Sequence, residues 1–265
     1  MQVLAAAILA VLEFLATNRG NNAPEDVAQL ARQHKDVTLL FMDIVGFTSM
    51  AKEVAPETVM VFLNTLFGVF DLLVDVHGVM KVETAGDCYI VAGGILSFDL
   101  LEHHDPADSA ARVMAFAKDM MASSKQVKMP HNDEPVCIRI GLHTGDCVSG
   151  LIGTKAPKYA VFGDTMNTAS RMESTCTPGR IQVSAVTHAL LPHEAWEATG
   201  GVLAKGKVRH SSWCDPLMLH CTVAACHIGQ SSCALPMCCS AGYPLCSIIL
   251  FALPCPLCSS CPAHP

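Results

Sequence analysis

"KVETAGDCYIV", residues 81–91, sits between two long stretches of helical periodicity and decides how the chain folds. Lys-Val-Glu-Thr and Cys-Tyr-Ile-Val are β-formers, and Ala85-Gly86 between them is a turn signal, so the segment reads as a hairpin with strands over 79–84 and 87–92. With a two-residue loop at Ala85-Gly86, Thr84 stands opposite Asp87 and Glu83 opposite Cys88. Neighbouring residues on a strand alternate between faces, so Glu83 and Asp87 point to opposite sides despite lying four positions apart. Such a pair suits two separate tasks better than a carboxylate dyad, although acids near a turn are most often merely solvated.

Outward from the hairpin, the flanks supply a topology. "DVTLLFMDIVGF" (36–47) is rich in β-formers and runs into a turn at Gly46, with Thr48 placed to cap a short helix. Pro56 suits a first helical turn, and Val59, Phe62, Leu63, Leu66, Val69, Phe70 and Leu73 follow at helical spacing to an end near His77-Gly78. Asp105-Pro106 opens a second long helix over 106–124. Strands are expected at "VCIRIGLHTG", "CVSGLIG", "KYAVFG" and "RIQVSAV", a helix over 164–173 with Asp164 as its cap, and the start of a final hairpin at "WEATGGVLAKGK". The order β-α-β-β-α-β, plus additions, is the ferredoxin-like pattern: an α+β domain with helices on one face of a mixed sheet.

Composition bounds the rest. The chain has 265 residues and a formal net charge of −7, which disfavours a nucleic-acid surface. Four of the 14 cysteines (Cys88, Cys137, Cys147, Cys176) precede residue 208 at spacings that suggest no framework, so the body reads as a protein of a reducing compartment. The opening "MQVLAAAILAVLEFLA" lacks a basic start, carries Glu13 and is short for a membrane span. It reads as a helix that packs on a partner or precedes the domain, with 17–35 as linker. From Ser211 onward the only charged residue is Asp215. Cys255, Cys258 and Cys261 lack a distant partner group for a metal site, and residues 245–257 are proline-broken. The domains expected are therefore 1–35, 36–207, and a Cys/Pro-rich tail, 208–265, that is disordered or mis-joined.

Asp43 ends an apolar strand, where a carboxylate is costly unless paired or bound to metal. In a ferredoxin-like sheet the first strand adjoins the hairpin, so Asp43 and Asp87 can meet, and two carboxylates with phosphate oxygens suit Mg²⁺. The backbone N–H groups of "IVGFT" (44–48) lead into a helix and would face the same place, a phosphate cradle. Metal and cradle together imply nucleotide chemistry. Asn167 and Arg171 share a helical face and suit a ribose and a charged phosphorus centre, although most such pairs are surface pairs.

"VTLLFMDIVGFTSM", "FLNTLFGVFD", "KVETAGDCYIV", "RIGLHTGDCVSGLIG", "YAVFGDTMNTASRMES" and "RIQVS" together resemble the catalytic domain of class III nucleotide cyclases, guanylyl cyclases above all, over residues 37–207. The resemblance implies roles. Asp43 and Asp87, with Ile44 beside them, would hold two Mg²⁺ or Mn²⁺ ions. Gly46, Phe47 and Thr48 would meet the phosphates. Glu83 would read the purine, Asn167 orient the ribose, Arg171 stabilise the transition state and Lys205 bind phosphate. The site would form between two such domains, in a homodimer or a cyclase heterodimer, with Glu83 and Asp87 serving different sites. Guanine's N1–H and 2-amino donors suit a carboxylate, whereas adenine's N1 acceptor repels one, so Glu83 favours GTP. The sequence departs from the guanylyl pattern at Ala160, where cysteine is usual, and again after Lys207. The resulting expectation is a cytoplasmic guanylyl cyclase domain that makes cyclic GMP and pyrophosphate, touches neither nucleic acid nor membrane itself, and belongs to a parent protein that is free or membrane-bound. Two alternatives stay open: an adenylyl or relaxed purine cyclase, and a non-catalytic dimerisation module that lacks its closing strand.

Overall fold

A computed structural model describes residues 31–95, 105–152, 158–201 and 211–215. Its centre is β1 (Arg32–Ile44), whose middle is apolar on both sides: Val37, Leu39, Leu40 and Met42 are wholly buried. A strand can be so only if both faces of its sheet are covered. After it come α1 (Phe47–Glu53), α2 (Pro56–His77), the hairpin β2 (Met80–Ala85) and β3 (Cys88–Gly93), and α3 (Pro106–Ser124). The second half holds β4 (Ile138–Ile152), β5 (Lys158–Phe162), α4 (Asp164–Ser174), β6 (Ile181–Ser184), α5 (Ala185–Leu190), β7 (Glu197–Ala198) and β8 (Ser212–Cys214).

The sheet runs β2-β3-β1-β4-β6-β8-β7, with β5 paired to β4. Only the β4–β6 pairing is parallel. The ferredoxin-like segment is present as β2-β3-β1-β4, and β1 adjoins the hairpin through β3, as expected.

Helices cover both faces rather than one. Tyr89 of β3 packs edge-on against Phe67 and Phe70 of α2. Gly93 presses against α3, where an added Cβ would lie 2.5 Å from a Val113 methyl. On the other face an added Cβ at Gly141 would lie 1.9 Å from the Glu173 backbone N, so only glycine lets α4 lie this close to β4. Ala169 of α4 joins the cluster of Val37, Leu39, Phe41 and Ile90.

The helix ends follow local chemistry. Pro56 starts α2, whose buried Phe62, Leu66, Phe70 and Leu73 form one stripe, and Gly78 closes it with φ 61°. Each buried side chain of that size contributes about 1.5–3 kcal/mol. Among the described residues α2 is also the one helix long and apolar enough to cross a membrane, with a mean hydropathy of 1.9; its other side leaves Met60, Val61 and Leu72 exposed. Asp105 caps α3 by accepting from Ala107 N at 2.9 Å.

Several expectations shift. The cap of α1 is Gly46, in the left-handed region at φ 79°, not Thr48, and the cap of α4 is Gly163, with Asp164 inside the first turn. The two strands expected over 136–153 are one strand, β4, long enough to pair with β1, β5 and β6. Residues 185–190, partly read as strand, are helix α5, because the Ser184 side chain accepts from Thr187 N. The linker ends early: Arg32, Gln33 and His34 pair with β4, and a register shift follows before Val37. The assignment of everything after 207 to a foreign tail also yields. β8 lies between β6 and β7, and the buried Asp215 accepts from Ile181 N at 2.8 Å. Trp213 stacks on His188 with 4.2 Å between ring centroids. A serine, a tryptophan and a cysteine suffice for a short strand whose neighbours supply the ladder. The rest of the tail and residues 1–30 lie outside the described residues.

Candidate active site

At the end of β1, Asp43 stands opposite Arg139 of β4, and Arg139 Nη2 donates to Asp43 Oδ2 at 2.5 Å. Glu173, brought close by the α4–β4 contact at Gly141, approaches Arg139 Nε at 3.2 Å. The turn of the hairpin brings in Asp87, whose carboxyl lies close enough to Asp43 for the Asp43 charge to raise its cost of ionising. Three carboxyl groups thus surround one guanidinium.

The charge balance is negative, and the neighbours register it. Burial first, and then the Asp43 charge, push the Asp87 carboxyl above its ordinary range. Burial and Asp43 likewise raise Glu173 to about 7, with Arg139 opposing. Cys88 is pushed up to about 12 by burial and then by Glu173, Asp43 and Asp87. Burial works against the Arg139 charge, but its bond to Asp43 and the Glu173 charge hold it above its ordinary value. Two carboxyl groups in contact within a net negative field are a donor set that a divalent cation would relieve. Among the described residues no group of three or more His, Cys, Asp or Glu side chains has metal-holding geometry, so further ligands would have to be phosphate, water or backbone oxygens.

The loop after Asp43 bends sharply. Val45 N donates to Cys137 O at 2.9 Å, and Gly46 O accepts from Ser49 N and Met50 N. Phe47 and Thr48 are the first two residues of α1, where backbone N–H groups have no partner within the helix.

Glu83 belongs elsewhere. The hairpin loop is Gly86-Asp87 rather than Ala85-Gly86, because Ala85 pairs with Cys88 and Gly86 takes φ 65°. That loop places Glu83 opposite Ile90, a register shift follows between Glu83 and Lys81, and Asp87 lies in the turn itself. The alternation expected between them does not apply, but their partners do differ. Lys158 Nζ of β5 donates to Glu83 Oε2, while Asp87 meets Asp43. Ala160 lies two residues beyond Lys158 on the same strand and is nearly buried at 9% exposure.

Asn167 and Arg171 ride on α4, one turn apart, Asn167 exposed and Arg171 half-buried. At about 100° per residue, Glu173 projects on roughly the opposite side of the helix from Arg171. Glu173 faces Arg139, so Asn167 and Arg171 face away from the carboxylates. Arg171 Nη1 is buried without a hydrogen-bond partner among the described residues. No hydrogen bond or ion pair among the described residues joins Asn167 or Arg171 to Asp43 or Asp87. Lys205 lies outside the described residues.

Sequence reasoning missed Arg139, Glu173 and Lys158. Arg139 had a signal: it is the lone charge in "CIRIGLHTG" and is the cross-strand partner of an acid. Lys158 had none, because its pairing with Glu83 spans 75 residues.

A sequence model of the "Adenylate and Guanylate cyclase catalytic domain" matches residues 30–214. The chain therefore belongs to the adenylate and guanylate cyclase catalytic domain family. It is 38% identical over 201 residues to guanylate cyclase soluble subunit beta-2 of Rattus norvegicus, covering 72% of this chain and 28% of that protein. It is 41% identical over 186 residues to guanylyl cyclase C of Cavia porcellus, covering 68% of this chain and 17% of that protein. The chain thus spans less than a third of either relative. Its fold is similar to that of the guanylate cyclase domain of RhGC from Catenaria anguillulae, solved in complex with GTP: the TM-score is 0.64 at 32% identity, covering 70% of this chain and 98% of that one. The match to residue 214 agrees with β8 being part of the domain.

Proposed function

We propose that this chain converts GTP to 3′,5′-cyclic GMP and pyrophosphate at a site shared between two cyclase domains, in a homodimer or a heterodimer, within the cytosol. The observation that carries the reading is the division of groups within one chain. The carboxylates and Arg139 gather at one end of the sheet, while Asn167 and Arg171, whose Nη1 has no partner among the described residues, face away from them. A nucleotide lying between two copies would meet one set from each.

In this mechanism the 3′-oxygen of GTP attacks the α-phosphorus in line and pyrophosphate leaves. Asp43 and Asp87, with the Ile44 backbone beside them, would hold two Mg²⁺ or Mn²⁺ ions, which when bound supply Lewis-acid activation of the 3′-hydroxyl and neutralise phosphate charge. Arg139, which donates to Asp43, would be available to phosphate oxygens if Asp43 were engaged by a metal. Phe47 and Thr48 N–H groups, beside Gly46, complete the phosphate cradle, with Lys205 of the other copy opposite. Asn167 orients the ribose, and the free N–H of Arg171 binds charge that develops at the α-phosphate. Glu83 accepts from guanine N1–H and the 2-amino group, and Lys158 holds its carboxylate in position. Ala160 offers guanine's carbonyl no polar contact, which favours, as the second reading, an enzyme that also admits ATP.

The dimerisation-module alternative rested on a missing closing strand, and β8 supplies one. The test is cyclic nucleotide formation from GTP and ATP by the full chain, with Mg²⁺ or Mn²⁺, beside chains ending at Lys207 and at Asp215. The full chain and the Asp215 version should make cyclic GMP, and the Lys207 version, which lacks β8, should not. No product from the full chain with either metal would contradict the reading.

A further inference from the structure

β8 brings a second thiol to one already buried in the domain. Cys176 lies in the turn after α4 and Cys214 ends β8; they are 4% and 2% exposed, and both are free thiols. Residues 180–182 hold both. Cys176 Sγ lies 3.2 Å from the Arg180 carbonyl oxygen. Cys214 is the register partner of Gln182, and its Sγ lies 3.5 Å from Gln182 Oε1. Gln182 Nε2 donates in turn to Thr175 Oγ1 at 2.8 Å, one residue before Cys176. Gln182 therefore links the two thiol sites, bonding Cys214 itself and the residue that precedes Cys176. Arg180 Nη2 also donates to Glu197 Oε2 at 2.6 Å and to the Asp215 carbonyl, so a guanidinium stands beside Cys214.

We propose that Cys176 and Cys214 are a peroxide-responsive thiol pair that closes reversibly into a disulfide, joining the end of α4 to β8. The inference does not depend on the proposed catalytic activity. The environment assigns the two sulfurs different parts. The neighbouring Cys176 thiol, aided by Arg180, holds Cys214 below the ordinary thiol range against its burial, while Cys214 and burial raise Cys176. Cys214 is therefore the nucleophile. Its thiolate sulfur attacks one oxygen of hydrogen peroxide, the O–O bond breaks, and the leaving hydroxide takes a proton to become water. The sulfur of Cys176, giving up its proton, then attacks the resulting Cys214 sulfenic acid; the S–O bond breaks, a second water leaves and the S–S bond forms. The two sulfurs lose two electrons and peroxide gains them. A dithiol reductant reverses the reaction.

Peroxide is little larger than water, and β8 is three residues long beside a two-residue β7, so brief openings of this edge give it access. The bond would fix both ends of the contact. Thr175 Oγ1 donates to the Arg171 carbonyl at 2.7 Å and Cys176 N donates to the Glu173 carbonyl at 2.9 Å, so Cys176 is already tied to the last turn of α4.

The test treats the reduced full chain with hydrogen peroxide, alkylates free thiols, digests with trypsin and chymotrypsin without reductant, and maps the peptides by mass spectrometry. A peptide carrying Cys176 linked to one carrying Cys214, released by dithiothreitol, is expected. Cys176→Ser should abolish the link and leave a Cys214 sulfenic acid that dimedone captures. Oxidation of the wild type should also raise its apparent Tm by about 5–10 °C, reversed by dithiothreitol. Recovery of both cysteines alkylated after peroxide has oxidised other thiols would overturn the proposal, as would Cys214 linked to a cysteine beyond residue 215. An unchanged Tm in a cross-linked sample would overturn the claim that the bond fixes β8. The mapping on wild-type protein decides the matter even if a serine variant fails to fold.

Discussion

Two polar regions flank the same helix, α4, and they are built differently. On the sheet side, Asp43, Asp87, Glu173 and Arg139 engage one another as charges, although Arg139 Nε and Glu173 Oε1, 3.2 Å apart, make no hydrogen bond among the described residues. On the other side, Asn167 is exposed and Arg171 keeps a buried N–H with no partner among the described residues. The first region has an excess of negative charge that a cation would relieve. The second has an unused donor that an anion would satisfy. In the proposed reading a metal-bound nucleotide between two copies would answer both needs, and among the described residues no hydrogen bond or ion pair joins the two sets within one chain.

The sharpest way to break this contrast is to remove a carboxylate. Asp43→Ala or Asp87→Ala should lower kcat by about a thousandfold or more, since a metal carboxylate supplies several kcal/mol of transition-state stabilisation. Gel filtration should show the dimer unchanged. Metal-dependent turnover near wild type in either variant would remove the metal assignment.

The next effect concerns the base. A missing buried hydrogen bond costs about 1–3 kcal/mol, so Ala160→Cys should raise the GTP/ATP ratio of kcat/KM by roughly tenfold to a hundredfold. Glu83→Lys should lower or reverse that ratio, because it places two cations, itself and Lys158, where guanine's donors bind. A ratio that neither substitution moves would show that Glu83 is not the base reader.

The smallest effect lies in the carboxylate cluster and appears in stability rather than rate. Glu173 is raised to about 7 from an ordinary value near 4.5, so the folded state holds a proton that the unfolded chain has released. Its contribution is most favourable below about pH 4.5 and is lost as pH rises toward 7. Glu173→Gln should remove that slope, leaving the variant more stable than wild type above pH 7 by about 1–3 kcal/mol at most. Denaturant titrations at pH 5 and pH 8 would show it; a wild-type advantage that grows with pH would contradict the cause assigned to the shift.

Periodicity and turn chemistry made much of the fold legible. The stripe in α2, Pro56, Gly78 and the Asp105 cap are local signals, and the structure agrees with them. The hairpin was visible, but its register was not, because a one-residue choice of loop moves every pair and the irregularity at Val82 moves them again. The strand character of 212–214 was hidden because three residues carry no period and their partners on β6 lie some 30 residues away. In the site, Asp43 was readable as an acid ending an apolar strand. Glu173 and Lys158 were not, since the contacts that define them come from the close approach at Gly141 and from the β2–β5 contact, which only folding creates.

The division of one site between two copies is tested most directly by mixing. Full-length Asp87→Ala and Arg171→Ala proteins should each be inactive with GTP. Co-refolded in equal amounts, they should regain about a quarter of wild-type turnover, because half the dimers are then mixed and one of the two sites in each keeps every group. No recovery, with mixed dimers demonstrated by two affinity tags, would place the whole site within a single chain and contradict the account.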